Sequence, residues 1–148
     1  MRRLLATVFL LLALQTAAAG ELIMIRSVLP FPEAMLVLQD SIAAHGYTVS
    51  RVQRIDVGLT GKGYKTDLYR IVFAGKLDEI RMLTRQAPQL IPYLPPKISI
   101  FAEGDQTVLV TLTPDTYARI AGDAVDPLFF RRWDSDLRSI LHDVSVAH

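Results

Sequence analysis

The run Leu68-Tyr-Arg-Ile-Val-Phe73 restricts this chain more than any other stretch. Successive side chains of a strand alternate between faces. Read that way, the run sends Tyr69, Ile71 and Phe73 to one side and Leu68, Arg70 and Val72 to the other. Both sides are largely apolar, the pattern of a central strand with neighbours along both edges and cover on both faces. Gly75 ends the run. A chain that contains it must build a sheet with layers around it.

The remaining segments supply those pieces. Leu22 to Val28 is rich in branched residues and reads as a first strand. Leu29-Pro-Phe-Pro32 breaks it, and Pro32 suits the first turn of a helix, with Glu33 beside the positive end of the dipole. Met35, Leu38 and Ile42 recur at i, i+3 and i+7, and Gly46 stops that helix. Tyr47 to Asp56 reads as a second strand, with Tyr47, Val49 and Ile55 on one face. A second helix spans Lys76 to Gln86 through Leu77, Ile80 and Leu83. Pro88, Pro92, Pro95 and Pro96 then leave little room for regular helix. Lys97–Glu103 and Thr107–Leu112, joined by Gly104-Asp105-Gln106, predict a hairpin. Thr113-Pro114 and Asp126-Pro127 each carry the cap-then-proline signal of a helix start. The first such helix runs through Ile120 and stops at Gly122. The second carries Phe130, Trp133, Leu137, Ile140, Leu141 and Val144 on one face. The order predicts an α+β fold: a mostly antiparallel sheet of about five strands covered by helices, plus an added C-terminal amphipathic helix over about 127–144.

The first residues carry an address rather than structure. Met1-Arg2-Arg3, an apolar run Leu4–Leu14 and Ala17-Ala18-Ala19 match a signal peptide over 1–19, cleaved after Ala19. The apolar run is about 11 residues, short of the ~20 that span a bilayer, so no transmembrane segment is expected after cleavage. The expected location is periplasmic or secreted, with residues 20–148 forming a single domain. Without Arg2 and Arg3 the 16 basic side chains fall to 14 against 15 acidic ones, a net charge near −1. That balance speaks against a nucleic-acid partner, which needs a basic face. Cysteine is absent, so the fold stands without disulfides and without thiol catalysis, thiolate metal sites or cysteine-linked lipid.

Ahead of the Leu68 strand lies Gly58-Leu-Thr-Gly61-Lys-Gly63, read as a loop between two strands. Its glycines lack the following helix N-terminus that a phosphate cradle requires. Arg54, Lys62, Tyr64, Lys65, Asp67 and Arg70 nonetheless cluster there, and they are the candidate ligand-binding residues. Tyr93, on the proline-stiffened tract Leu90–Pro96, joins them as a second element of the surface. The plain alternative is that Asp56 and Asp67 pair with these bases. His45, at a helix end, reads as a capping residue. No two of His45, His142 and His148 have the i, i+4 spacing of a helical metal pair. Met24, Met35 and Met82 read as core filling. No serine sits in a Gly-x-Ser-x-Gly elbow, and Asp78-Glu79 and Asp134/Asp136 read as solvated helix faces.

Several segments together resemble a bacterial and archaeal family, domain of unknown function 302. They are Arg26-Ser27 with the helix ending at Gly46, Gly58-Leu59 ahead of Tyr69-Arg-Ile-Val-Phe73, Leu94–Glu103 with its hairpin, and the Pro114 helix. The resemblance covers about Ile23 to Ile120. Gly63–Arg70 and Pro92–Pro95 are similar to a secreted proteobacterial branch. Many members carry an Asp-His pair before the Gly-Leu, where Gln53-Arg-Ile-Asp56 stands here. Many also carry Gly-Asn-Pro after the central strand, where Ala74-Gly-Lys76 stands here. The resemblance implies a compact α+β sheet domain that pairs as a homodimer; it brings no settled reaction.

No catalytic group is assembled in the sequence and no cofactor is implied. The expected function is therefore a non-enzymatic ligand-binding or protein-interaction module with a small ligand or a protein partner. One alternative is an enzyme acting on a small anionic substrate through Lys65, Asp67 and Arg70, which requires burial of one of them. The other is a haem or metal carrier using His45 or His142.

Overall fold

A computed structural model describes residues 21–148 of the chain; the expected leader at 1–19 lies outside them. Five strands form one sheet: β1 (Leu22–Ser27), β2 (Thr48–Arg54), β3 (Tyr69–Gly75), β4 (Lys97–Glu103) and β5 (Gln106–Leu112). Their order is β1-β5-β4-β3-β2, and every neighbouring pair is antiparallel. The hairpin β4–β5 turns tightly, with Glu103 opposite Gln106 and Gly104 at φ +60°. β4 holds the middle of the sheet and β3 lies beside it, flanked by β2 and β4.

The helices are α1 (Phe31–Ala44), α2 (Ile55–Thr60), α3 (Leu77–Gln86), α4 (Pro114–Ala121) and α5 (Pro127–Val146). The proline tract forms 3-10 turns over Pro88–Tyr93, with Pro92 inside. α5 starts as its sequence predicts: Asp126 accepts a hydrogen bond from the Leu128 amide at 2.8 Å, and Pro127 follows. Thr113 caps α4 by position only, since its hydroxyl meets Thr116 Oγ1 at 3.1 Å and makes no cap bond.

Two cores hold these elements. In the first, Ile23, Val72, Ile98, Ile100 and Leu109 from one face of the sheet meet Leu38 and Ile42 of α1 and Ile140, Leu141 and Val144 of α5. The second joins Leu83, Leu90, Tyr117, Val125, Phe130 and Trp133. α5 contributes to both, because its apolar stripe continues for twenty residues. Burying each of these larger side chains stabilises the fold by about 1.5–3 kcal/mol.

The structure departs from the sequence expectation in three places. The second strand ends at Arg54, and Ile55–Thr60 forms α2, so Gly58 lies in a helix instead of a loop. Thr60 Oγ1 donates to the Asp56 carbonyl at 2.8 Å within that turn. The loop proper begins past it, with Gly63 at φ +86° reversing the chain. Met24 is not core filling: it is 57% exposed on a sheet edge strand, whereas Met35 and Met82 do pack on the cores. The third departure concerns the cover of β3. Val72 and Ala74 pack against the helical core, but Tyr69, Ile71 and Phe73, on the opposite face, belong to neither core.

Candidate functional site

Arg54, Asp56 and Arg70 come together where β2 ends, α2 starts and β3 begins. Arg54 and Arg70 face each other across the β2–β3 ladder. Arg70 forms an ion pair with Asp56, and their side chains are only 12% and 11% exposed. The Arg70 guanidinium also donates to the Tyr69 carbonyl at 3.0 Å and lies 5.7 Å from the centre of the Phe31 ring. The Arg70 hydrogen bond, with a smaller contribution from the Val57 amide, holds the Asp56 carboxyl below the usual carboxylate range despite its burial. Arg70 is thus consumed internally by a carboxylate, as the plain alternative anticipated.

The other candidates are more dispersed. Lys62, Tyr64, Lys65 and Asp67 are exposed on the loop between α2 and β3, and none of the three charged ones forms an ion pair among the described residues. An acid–base role for Lys65 or Asp67 required burial, which neither has. Asp67 borders a shallow groove with Thr66, Tyr69 and Phe101. Tyr93 is 39% exposed but sits ahead of Lys97, at the opposite end of β4 from Phe101, which pairs with Tyr69. The two loops are separated by roughly 20 Å, the length of a seven-residue strand. They do not form one site.

Two other features are better organised. The first is the outer face of the sheet: Tyr69, Ile71 and Phe73 of β3, Phe101 of β4, Val110 of β5 and Met24 of β1. None belongs to either core. Tyr69 and Phe101 pack edge to face with ring centres 6.1 Å apart. Lys97 and Glu103 stand at the two ends of β4 on this face, and Glu103 pairs with Arg26.

The second is a polar network where α3 meets α5. The Tyr47 hydroxyl donates to Asp136 at 2.7 Å, and Arg132 bridges Asp136 at 3.3 Å and Glu79 at 2.8 Å. Lys76 Nζ lies 4.4 Å from the centre of the Tyr47 ring. Burial first, then the Asp136 carboxylate, push the Tyr47 phenol well above its ordinary pKa. The sequence offered no sign of this pairing, because Tyr47 and Asp136 are 89 positions apart.

A serine, a histidine and an aspartate also meet, without triad geometry. The Ser41 hydroxyl donates to Asp143 at 2.6 Å, while His45 Nδ1 faces the Ser41 carbonyl at 2.9 Å. The hydroxyl donates to the nearer carboxylate while the imidazole Nδ1 lies 3.5 Å from it and 2.9 Å from the Ser41 carbonyl, and His45 closes a helix end as its position suggested. Among the described residues no group of three or more His, Asp or Glu side chains is placed to hold a metal, and no helix is long and apolar enough to cross a membrane.

The family model "Domain of unknown function DUF302" matches residues 23–142. The chain belongs to this family. A solved structure agrees, titled as the crystal structure of an uncharacterized conserved protein DUF302 from Bacillus stearothermophilus. It superposes with a TM-score of 0.74 at 16% identity, over 85% of this chain and 99% of that one. At that identity the likeness shows the fold alone. Among curated proteins no match is found. The DUF302 match reaches His142 and so takes in much of α5, beyond the Ile120 limit of the motifs read from the sequence.

Proposed function

We propose that this DUF302 chain is a non-enzymatic interaction module that pairs with a second copy of itself through the outer face of its sheet. The observation that carries the reading is the apolar row of Tyr69, Ile71, Phe73, Phe101 and Val110, which neither core covers. The row crosses three adjacent strands of the sheet, and apolar surface gathered on one face of a monomer marks an interaction site. The charges favour a self-partner. A two-fold axis running across the strands sets the Lys97 end of one copy over the Glu103 end of the other, an isologous arrangement. Asp67, beside Tyr69 and Phe101, adds a polar group at the rim.

Unfolding at several protein concentrations tests this. Folding coupled to pairing makes the melting temperature follow concentration, by roughly 3–6 °C for a hundredfold dilution of a chain this size. Phe73→Glu, outside both cores, is expected to fold and to melt at one temperature at every concentration. A wild-type melting temperature that ignores concentration contradicts the reading.

The module is further proposed to act outside the cytoplasm after removal of residues 1–19. The leader-like composition supports this, as does a first strand that begins at Leu22. Intact mass of the protein from its native cells is expected to match a chain starting at Gly20. A mass that retains Met1 overturns this part.

A further inference from the structure

The outer face of the sheet is not electrostatically even along its strands. Directly paired residues of an antiparallel sheet stand on the same face, and Arg51 and Lys97 both pair with Phe73, one from each side. Two cations therefore flank the Phe73 end of the face. At the other end Tyr69 pairs with Phe101, and the Ala102 amide donates to the Leu68 carbonyl at 2.9 Å. The segment leading into β3 thus already runs beside β4, which brings Thr66 and Asp67 to the rim of the groove next to Tyr69 and Phe101. Lys62 and Lys65 belong to the same loop and are exposed, as are Arg51 and Lys97. Among the described residues none of these four cations forms an ion pair.

In one chain the two groups lie a strand's length apart. The two-fold axis of the self-pairing, running across the strands, sets each end of the face over the opposite end of the partner's. Lys62, Lys65 and Asp67 of one copy then meet Arg51 and Lys97 of the other, once at each of two equivalent seams. Glu103, at the same end as Asp67, is matched by Arg26. Four cations against one carboxylate leave an excess of positive charge at each seam, which repels itself unless an anion offsets it. We propose that self-pairing, on which this inference rests, completes two binding sites for a compact polyvalent oxyanion. Each site is built from Lys62 and Lys65 of one copy and Arg51 and Lys97 of the other. Ammonium and guanidinium groups are strong hydrogen-bond donors to such oxygens. A single chain holds only half of each site.

Calorimetric titration of the purified protein with inorganic pyrophosphate tests this, with sedimentation equilibrium run alongside. An anion that binds the pair and not the single chain strengthens pairing. At about ten times its dissociation constant, occupancy of both seams is expected to tighten pairing about a hundredfold. Sodium chloride at equal ionic strength, which only screens, is expected to change it by less than about threefold. Lys65→Gln and Lys97→Gln, at exposed positions outside both cores, are each expected to fold and to weaken pyrophosphate about tenfold, the worth of one hydrogen bond to a charged group. Mixing the two variants separates a shared site from one held by a single chain. In a mixed pair one seam keeps both lysines and the other has neither, so wild-type affinity is expected to return at about one site for every four chains. A mixture that binds no better than either variant overturns the proposal, as does pyrophosphate that binds the Phe73→Glu single chain as tightly as wild type. Wild type that pairs but ignores pyrophosphate overturns it and leaves self-pairing standing. Wild type that stays a single chain with and without pyrophosphate overturns both.

Discussion

Arg70 stands on the covered face of β3, and its partner Asp56 is nearly as buried. Removing one member of such a pair strands the other charge away from water, so Asp56→Ala is expected to cost about 3 kcal/mol at neutral pH. Urea unfolding measures it. The pH dependence follows from the depressed carboxyl pKa. A carboxylate whose folded pKa lies below its unfolded value near ~3.9 contributes stability above that value. The contribution is lost as pH falls through the folded pKa. The gap between wild type and Asp56→Ala is therefore expected to narrow in acid below about pH 4, and a gap unchanged down to pH 2 contradicts the assignment. Tyr47 and Tyr117 make a second contrast. Tyr47→Phe removes a donor from Asp136 and is expected to cost about 1 kcal/mol, whereas Tyr117→Phe removes an unpaired hydroxyl and is expected to cost nothing measurable. The Asp56 pairing was legible because the bases and acids crowd one short stretch. The Tyr47 network and the Tyr117 orphan were not, because each depends on α5 returning to elements far away in sequence.

At the scale of elements, local chemistry announced most boundaries. Pro32 and Gly46 bracket α1, Gly104 turns the β4–β5 hairpin, and Asp126-Pro127 opens α5. Two helix starts that look alike in sequence are predicted to differ in energy. Asp126→Ala loses a real cap bond and is expected to cost about 1 kcal/mol. Thr113→Ala loses only a hydroxyl contact to Thr116 and is expected to cost less than half as much in the same chemical-denaturation assay. Equal costs would mean that position alone makes the cap. α2 was missed because Ile55 continues the alternation of β2 and Gly58 reads as a breaker. What forms the turn is its own hydrogen bonding, with Thr60 onto Asp56 and the Gly61 amide onto Val57.

At the scale of the whole molecule, the apolar alternation of β3 is the feature that organises the account. It predicted cover on both faces, and among the described residues the helical core packs on one. Val72 and Ala74 meet the core while Ile71 and Phe73 face outward. A sequence cannot tell a second layer of its own chain from a layer supplied by another copy, since both leave the same pattern in a strand. Neither could it show that the loop of Lys62, Lys65 and Asp67 and the turn of Tyr93 lie at opposite ends of β4, since strand order decides that distance. The proposed self-pairing through the outer face would supply the second layer. Sedimentation equilibrium of the protein carrying residues 20–148 tests it most directly. Twice the chain mass is expected for wild type at micromolar concentration and a single chain mass for Phe73→Glu; a wild-type protein that sediments at one chain mass at every concentration contradicts self-pairing.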